Sequence, residues 1–305
     1  MSQDFLTSLL EKQDWPTGAL YVIATPIGNL GDLTWRAAYA LDLMDVVAAE
    51  DTRVTAQLLS NYGIKVPLIA YHQHNEASMS ATILERLSRG ERVGLVTDAG
   101  CPCVSDPGAK AVQTVLDAGY RVIPLPGASA VVAALMATGV DEMLNPQFFF
   151  AGFVPPKSKA RLDFLSQYVG VDYSVLMYES PHRMLDTAKA FQTVFEPHRI
   201  VVVARELTKR FEQVASMAVS EFVSWLSEDA HRLQGEFVIR LKPLKKTQGA
   251  LDSQVLDVLK RCLHYLSTRE ASRLCSELTG LPKDVLYKAA LDLKEDKQDN
   301  FIKTT

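Results

Sequence analysis

The sequence lacks any apolar run long enough to cross a bilayer, which argues against a helical membrane protein. Its opening, M-S-Q-D-F-L-T-S-L-L-E-K, carries acidic side chains and no secretory pattern. Only four cysteines occur in 305 residues, too few for a disulfide framework, which favours a reducing compartment. These absences predict a cytoplasmic protein with no membrane partner.

A strong charge of either sign is also missing. The net charge of −4 excludes a globally basic nucleic-acid binder, although it leaves room for a local basic face. Because 48% of the 305 residues are hydrophobic, the chain can bury a large core, and we expect two or three domains.

Two common phosphate-binding motifs are absent from the glycine loops. The loop at residues 26–32 contains G-x-x-G, without the spacing of a dinucleotide site or the lysine of a phosphate loop. A tight turn with a helix cap explains such a loop as well as a ligand does. A second small-residue loop, at residues 98–100, follows another predicted strand, and two such loops favour a shared ligand cleft. Asp98 in this loop and Asp106 soon after it suit a ligand with hydroxyl groups and positive charge.

Strands and helices alternate through the first half of the chain, which predicts a mainly parallel sheet with helices on both faces. Thr34 is predicted to cap one helix, and Asp106-Pro107 to begin another that ends near Ala118. In the second half, short links between strands predict a mixed sheet. The predicted strands are residues 20–25, 46–49, 68–71, 93–97, 121–125, 148–150, 174–178, 200–204, 213–219 and 237–241.

The organisation along the chain follows from these elements. Three short helices are predicted at residues 253–265, 269–278 and 283–293, with a helix-turn-helix outline that is weak evidence of nucleic-acid contact. The boundary between the α/β domains is predicted near Gly127, and Asn145-Pro146 is an alternative. The predicted divisions are an N-terminal extension 1–17, an N-terminal α/β domain 18–127, a C-terminal α/β domain 128–243, a linker 244–252 and a helical accessory domain 253–305.

Polar and basic side chains follow several predicted strands. Residues 50–53, E-D-T-R, can bind a polar substrate or form a salt-bridged helix start. Three basic stretches in the second half are either solvated faces or a rim that docks a phosphodiester backbone, at residues 157–161, 178–183 and 204–210. His72 with His74, and Cys101 with Cys103, are each half a metal site, so packing or substrate contact is favoured over metal binding.

Six stretches together resemble the tetrapyrrole-methylase superfamily, and within it the ribosomal small-subunit RNA ribose-2′-O-methyltransferases that modify a cytidine. Departures are small: Thr97, Cys101, Cys103 and Ala128 replace more usual residues, and none removes a charge. The matching stretches are LYVIATPIGNLGD at 20–32, AAEDTR at 48–53, YHQHNE at 71–76, the DAGxPxxSDPG loop at 98–108, YESPHR at 178–183 and ARELTKRFE at 204–212.

The resemblance implies an enzyme with two α/β domains, a helical accessory piece and S-adenosylmethionine as cofactor. By the same likeness, the reaction is methyl transfer to a ribose hydroxyl, for which alignment is the main catalytic task and a base is plausible. The implied cofactor-binding residues are Asp98, Ala99, Gly100, Pro102, Ser129 and Tyr178. Asp51, Glu179 and Glu206 are candidate catalytic residues, and the substrate-binding candidates are Pro26, Gly28, Asp32, Arg53, His74, Arg205 and Lys209.

The implied partner is 16S ribosomal RNA within the small ribosomal subunit, and the implied assembly is a homodimer. No metal is expected. One alternative is a methyltransferase of the same fold acting on a tetrapyrrole or a protein side chain, but the basic stretches then have no obvious role. Another is a non-catalytic RNA-binding module, against which the intact residues 98–102 argue.

Overall fold

The computed structural model describes residues 3–139, 146–244 and 253–302. The chain divides into two compact units, residues 1–244 and 245–305. The strands of the first unit are β1 (Ala19–Ile23), β2 (Val46–Ala49), β3 (Leu68–Ala70), β4 (Arg92–Val96), β5 (Arg121–Leu125), β6 (Phe148–Phe153), β7 (Ser174–Glu179), β8 (Ile200–Arg205), β9 (Gln213–Ala218) and β10 (Phe237–Leu241). Its α-helices are α1 (Gln3–Glu11), α2 (Trp35–Leu43), α3 (Thr52–Asn61), α4 (Glu76–Ser88), α5 (Ala109–Asp117), α6 (Ala130–Thr138), α7 (Ser158–Ser166), α8 (Met184–Val194) and α9 (Phe222–Ser227).

The first sheet has the strand order β3-β2-β4-β1-β5, and all its strand pairs are parallel. Alternate residues of a strand point to opposite faces, so each face carries its own apolar cluster. Tyr21 of β1 packs in one cluster with Leu41 of α2, whereas Leu20 packs in the other with Ile83 of α4 and Val115 of α5. The predicted parallel sheet with helices on both faces is confirmed.

The second sheet is mixed, as the short links between its strands predict. Its order is β6-β7-β10-β8-β9, with β6 and β7 parallel and the other pairs antiparallel. One face packs under α7, α8 and α9, through residues such as Phe191 and Phe222. The other face packs against α6, where Val131 meets a cluster containing Leu176 and Val238.

The two predicted helix starts have different outcomes. Thr34 caps α2 as predicted, since its hydroxyl accepts a hydrogen bond of 3.1 Å from the amide of Ala37. The predicted start at Asp106-Pro107 is wrong, because α5 begins only at Ala109, after Gly108 at φ 133°.

The first turn of α5 is capped by residues distant in sequence. Glu76 Oε1 accepts from the amide of Gly108 at 3.3 Å, and the Tyr71 hydroxyl accepts from the amide of Ala111 at 3.1 Å. Both caps come from the Y-H-Q-H-N-E stretch, which therefore supports the loop before α5.

The second unit contains α10 (Ser253–Tyr265), α11 (Thr268–Thr279) and α12 (Lys283–Ile302). Its core includes Leu259, Cys275 and Leu286, one from each helix. Among the described helices, none is both long and apolar enough to cross a membrane. Except for Leu244, the predicted linker lies outside the described residues, as does Asn145 of the alternative domain boundary. The boundary at Gly127 stays a prediction.

Candidate active site

The two glycine loops of the first sheet are joined directly. Thr25, after β1, and Gly100, after the neighbouring strand β4, exchange two backbone hydrogen bonds of 2.9 and 3.1 Å. The Thr25 hydroxyl also donates to the carbonyl of Thr97 at 3.1 Å. Gly100 adopts φ 85°, a conformation that side chains rarely tolerate. The loops therefore form one rigid floor, as expected for a shared ligand cleft.

A first cavity of about 300 Å³ opens above this floor, between the two sheets. Its volume is at the lower end of the range of small-molecule sites. Residues of the loop after β4 form one wall, and ends of β6, β7, β8 and β10 form the other. The lining includes Ile27, Ala99, Gly100, Cys101, Ser105, Asp106, Ser129, Phe153, Tyr178, Glu179, Leu207, Glu236 and Val238.

Asp106 gives the first cavity an unpaired negative charge. Its carboxylate has no hydrogen-bond or ion-pair partner among the residues that the structure describes. Burial, and then repulsion by Glu50 and Asp98, raise the pKa of Asp106 to about 6. Burial followed by the charge of Asp106 raises the pKa of Tyr178 to about 12. A cationic ligand relieves the repulsion among these carboxylates, so the cavity favours positive charge.

A second cavity of about 380 Å³ lies beside the first. The two linings share Ile27, Ala99 and Glu236, which mark the place where the cavities meet. Ligands in the two cavities would therefore be adjacent at this junction. The second lining comprises Pro26, Ile27, Gly28, Leu30, Val54, Gln57, Leu58, Asn61, Asp98, Ala99, Lys209 and Glu236.

Lys209 bridges two carboxylates beside this junction. Its Nζ lies 2.9 Å from Glu206 Oε1 and 2.7 Å from Glu236 Oε2. Burial alone would lower the pKa of Lys209, but the hydrogen bonds to both carboxylates outweigh it and the pKa is raised. Burial likewise opposes ionisation of Glu206, yet hydrogen bonds from Lys209 and from the amide of Glu236 lower its pKa overall. The Lys209 side chain passes directly over Gly28.

The predicted cofactor residues are largely brought together. Ala99, Gly100, Ser129 and Tyr178 line the first cavity. Asp98 lines the second cavity instead, and its Oδ1 accepts from the amide of Asp51 at 3.0 Å. Pro102 is buried and is absent from both linings.

The predicted substrate residues divide into two groups. Pro26, Gly28 and Lys209 line the second cavity, whereas Asp32, Arg53, His74 and Arg205 line neither cavity. Arg205 is buried and donates to the carbonyl oxygens of Gln234 at 2.6 Å and Phe211 at 3.3 Å. The position of Arg205 therefore favours a role in holding two loops together over the predicted contact with substrate.

The two incomplete metal-ligand pairs, for which packing or substrate contact is favoured, and the alternative of a basic rim can both be compared with the structure. Among residues 3–139, 146–244 and 253–302, no three His, Cys, Asp or Glu side chains are grouped to hold a metal. Lys157 and Lys159 are exposed, as a basic rim requires. Arg161, however, is buried and donates to the carbonyls of Pro155 and Pro156, so it does not contribute to such a rim.

The three predicted catalytic carboxylates are engaged in local structure. Asp51 caps α3 and pairs with Arg53, which holds the pKa of Asp51 well below its usual range. Glu179 faces the first cavity, but its buried carboxylate accepts from the amide of Ser180, from Arg183 and from Thr187. These contacts favour positioning over proton transfer.

Two functional candidates are missed by the sequence analysis. The sequence predicts Asp106 as a helix cap, but α5 begins later, at Ala109, so the Asp106 carboxylate is not used as a cap. Glu236 precedes β10 without any neighbouring motif, and only the fold brings it to the junction of the cavities. The local sequence at residues 234–236, Q-G-E, carries no pattern that singles out Glu236.

Curated relatives resemble the chain over most of its length. Two of them, from Haemophilus influenzae and Neisseria meningitidis serogroup B, are both named Ribosomal RNA small subunit methyltransferase I. The first is 41% identical over 90% of this chain and 97% of its own length. The second is 44% identical over 91% of this chain and 94% of its own length.

A solved structure supports the fold. It is a uroporphyrin-III C-methyl transferase from Thermus thermophilus complexed with S-adenyl homocysteine. The match has a TM-score of 0.51 at 17% identity and covers 73% of this chain and 97% of that chain. At this identity the match confirms the predicted fold class alone.

Two family matches cover the two units of the chain. Residues 249–294 match the RsmI C-terminal HTH domain, which agrees with the helix-turn-helix outline. Residues 19–223 match the Tetrapyrrole (Corrin/Porphyrin) Methylases. The predicted family is confirmed: the chain belongs to the tetrapyrrole methylases and, within them, to the family of ribosomal RNA small subunit methyltransferase I.

Proposed function

We propose that the protein transfers a methyl group from S-adenosylmethionine to the 2′-hydroxyl of a cytidine ribose in small-subunit (16S) ribosomal RNA. The observation that carries this proposal is the similarity to relatives named Ribosomal RNA small subunit methyltransferase I, at 41% and 44% identity over 90% and 91% of the chain. The two joined cavities support it further, since a transferase needs adjacent places for donor and acceptor.

The first cavity fits S-adenosylmethionine, whose sulfonium supplies the methyl group. Asp106 offers an unpaired carboxylate to a cationic ligand, and Ala99 and Gly100 present backbone with little side chain in the way. Ser129 and Tyr178 would close the cavity from the side of the second sheet. The fold relative crystallised with S-adenyl homocysteine agrees with this choice of cofactor.

The ribose hydroxyl belongs at the junction of the cavities, beside Glu236. The transfer forms a bond between the ribose oxygen and the methyl carbon, breaks the carbon–sulfur bond and releases the hydroxyl proton. Glu236 is the carboxylate that lines both cavities, and its side chain is 73% exposed. The Glu236 carboxylate accepts the hydroxyl hydrogen and orients the oxygen. Lys209 and Glu206 hold Glu236 in place.

The acceptor is RNA within the assembled small subunit, and the protein acts as a homodimer in the cytoplasm. A ribosomal substrate and four free cysteines favour that compartment.

The homodimer is supported by large apolar side chains exposed on α6 and on the edge strand β6, namely Val132, Met136, Phe148 and Phe149. Sedimentation equilibrium measures the state directly, and a monomer at micromolar concentration would reject the dimer.

Binding of S-adenosylmethionine is expected to weaken as the pH falls through about 6. Below that pH Asp106 is protonated and the cavity loses this unpaired negative charge, so the Kd at pH 5 should rise by up to about tenfold relative to pH 7. Calorimetry at both values measures this change. Asp106→Asn should bind weakly at both values and flatten the dependence, whereas Asp117→Asn, on the exposed side of α5, should retain it.

The experiment that tests the function is methyl transfer from labelled S-adenosylmethionine to unmodified small ribosomal subunits. Label recovered in an alkali-resistant dinucleotide establishes 2′-O-methylation and locates the nucleotide. Faster transfer to the assembled subunit than to short naked RNA supports the folded ribosomal surface as substrate. Cofactor binding without label in RNA would reject the proposal and favour a tetrapyrrole or protein acceptor. Failure to bind the cofactor would favour an RNA-binding module.

A further inference from the structure

One face of α3 forms a wall of the second cavity. The opposite face is anchored in the protein core through the buried residues Thr55 and Leu59. The side chains of the cavity face share the helical spacing i, i+3, i+4 and i+7, and they are Val54, Gln57, Leu58 and Asn61. The wall thus combines two apolar side chains with two carboxamides.

Leu30 faces this wall from the first glycine loop. Leu30 and Val54 are 47% and 42% exposed, although both are large apolar side chains. The Tyr62 hydroxyl donates a hydrogen bond to the carbonyl of Leu30, which ties the loop to the end of α3. Both apolar groups thus line the second cavity on segments that this bond ties together, and exposed apolar groups of this kind suit the faces of an aromatic ring.

The two carboxamides present a specific hydrogen-bonding pattern. Asn61 Nδ2 donates to the backbone carbonyl of Gln57 at 3.0 Å, which leaves Asn61 Oδ1 to accept from a ligand. The Gln57 carboxamide has no hydrogen-bond partner in the part of the chain that the structure describes, so it can donate. With Asn61 facing the 4-position and Gln57 facing the 3-position of the ring, cytosine offers its amino group to Asn61 Oδ1 and its N3 acceptor to Gln57. Uracil in the same position would instead place its 4-carbonyl oxygen against Asn61 Oδ1.

We propose that the second cavity holds the target nucleobase, unstacked from the RNA between Leu30 and Val54, and that Gln57 and Asn61 select cytosine by its Watson–Crick edge. The inference rests on the proposed function and extends it to the base. A volume of about 380 Å³ accommodates one nucleoside. The attached ribose then reaches Glu236 at the junction, where the first cavity opens.

The test compares small subunits that carry cytidine or uridine at the mapped target nucleotide. The unaltered protein should prefer cytidine, and Asn61→Leu and Gln57→Leu should each reduce the ratio of kcat/KM values by about tenfold, the discrimination typical of a two-bond contact. The Kd for S-adenosylmethionine should stay unchanged in both variants. Gln113→Leu, an exposed glutamine on α5 that lines neither cavity, is the matched control.

Both substituted residues are exposed on a helix, so the variants should fold, and thermal melting verifies this. Unchanged cytidine preference in both variants, alongside RNA methylation by the unaltered protein, overturns this inference alone. If the unaltered protein transfers no methyl group to RNA, the proposed function and this inference both fail.

Discussion

Glu236→Gln is expected to slow single-turnover methyl transfer by about a hundredfold, which is within the range of general-base effects. Glu236 is the carboxylate shared by both cavities, and glutamine keeps its shape while losing the ability to take up the hydroxyl proton. The Kd for S-adenosylmethionine should change by less than about twofold, because Asp106 still supplies the charge of the first cavity. Rapid-quench kinetics with saturating cofactor and small subunits measures the rate.

Two further variants separate proton transfer from positioning. Glu206→Gln removes one of the two carboxylates that hold Lys209, so it should slow transfer less than Glu236→Gln does. Glu228→Gln alters an exposed glutamate that pairs with Arg232 and lines neither cavity, and its rate should be normal. A rate for Glu236→Gln equal to that of Glu228→Gln would remove Glu236 from the reaction and leave alignment as the sole catalytic contribution.

The sheets were predictable because their signals are local. The apolar runs at residues 46–49, 121–125 and 237–241 coincide with β2, β5 and β10 in the structure. Regular alternation with helices predicts parallel strands, so the loops after β1 and β4 are expected at one edge of the sheet. The structure adds that these two strands are neighbours and that their loops are hydrogen-bonded to each other. The shared cleft of the two glycine loops was thus predictable from the sequence, whereas their direct contact was not.

The catalytic residues were harder to predict because their environments depend on distant parts of the chain. Asp106-Pro107 is a good local helix start, but Tyr71 and Glu76 cap α5 two residues later and leave Asp106 facing the cavity. Arg161 and Arg205 belong to basic runs, which normally predict solvent-exposed side chains. In the structure both are buried and donate hydrogen bonds to backbone carbonyls of neighbouring loops. A motif shows which side chains are present, whereas their ionisation and contacts follow from the completed fold.

The face of α3 that lines the second cavity is another part of the site that the sequence alone does not reveal. Gln57 and Asn61 resemble ordinary solvated residues of an amphipathic helix, and no motif distinguishes them. Their relevance comes from the loop that lies opposite, through Leu30 and its bond from Tyr62. Specificity for a base is therefore a property of paired walls, which a single sequence does not display.

Gly28→Ala is expected to reduce methyl transfer to RNA by about a hundredfold through Lys209. A Cβ at Gly28 would lie 2.4 Å from Cε and 2.6 Å from Cγ of Lys209, and the φ of 133° adds backbone strain. The lysine side chain is flexible, so it relieves the collision by leaving its place between Glu206 and Glu236. The free energy of unfolding should fall by only about 1–3 kcal/mol, the cost of one strained residue. Single-turnover kinetics and urea denaturation measure the two effects.

Gly90→Ala isolates the backbone strain from the collision. Gly90 has φ 81°, but a Cβ there meets no atom within 4 Å. This variant should lose a similar amount of stability and retain the normal transfer rate. Lys209→Met should reproduce the kinetic defect of Gly28→Ala without its strain, since methionine removes the ammonium that holds Glu236. Normal transfer by both Gly28→Ala and Lys209→Met would show that Glu236 does not depend on Lys209 for its position. Matching defects would show that the first glycine loop affects catalysis through that lysine.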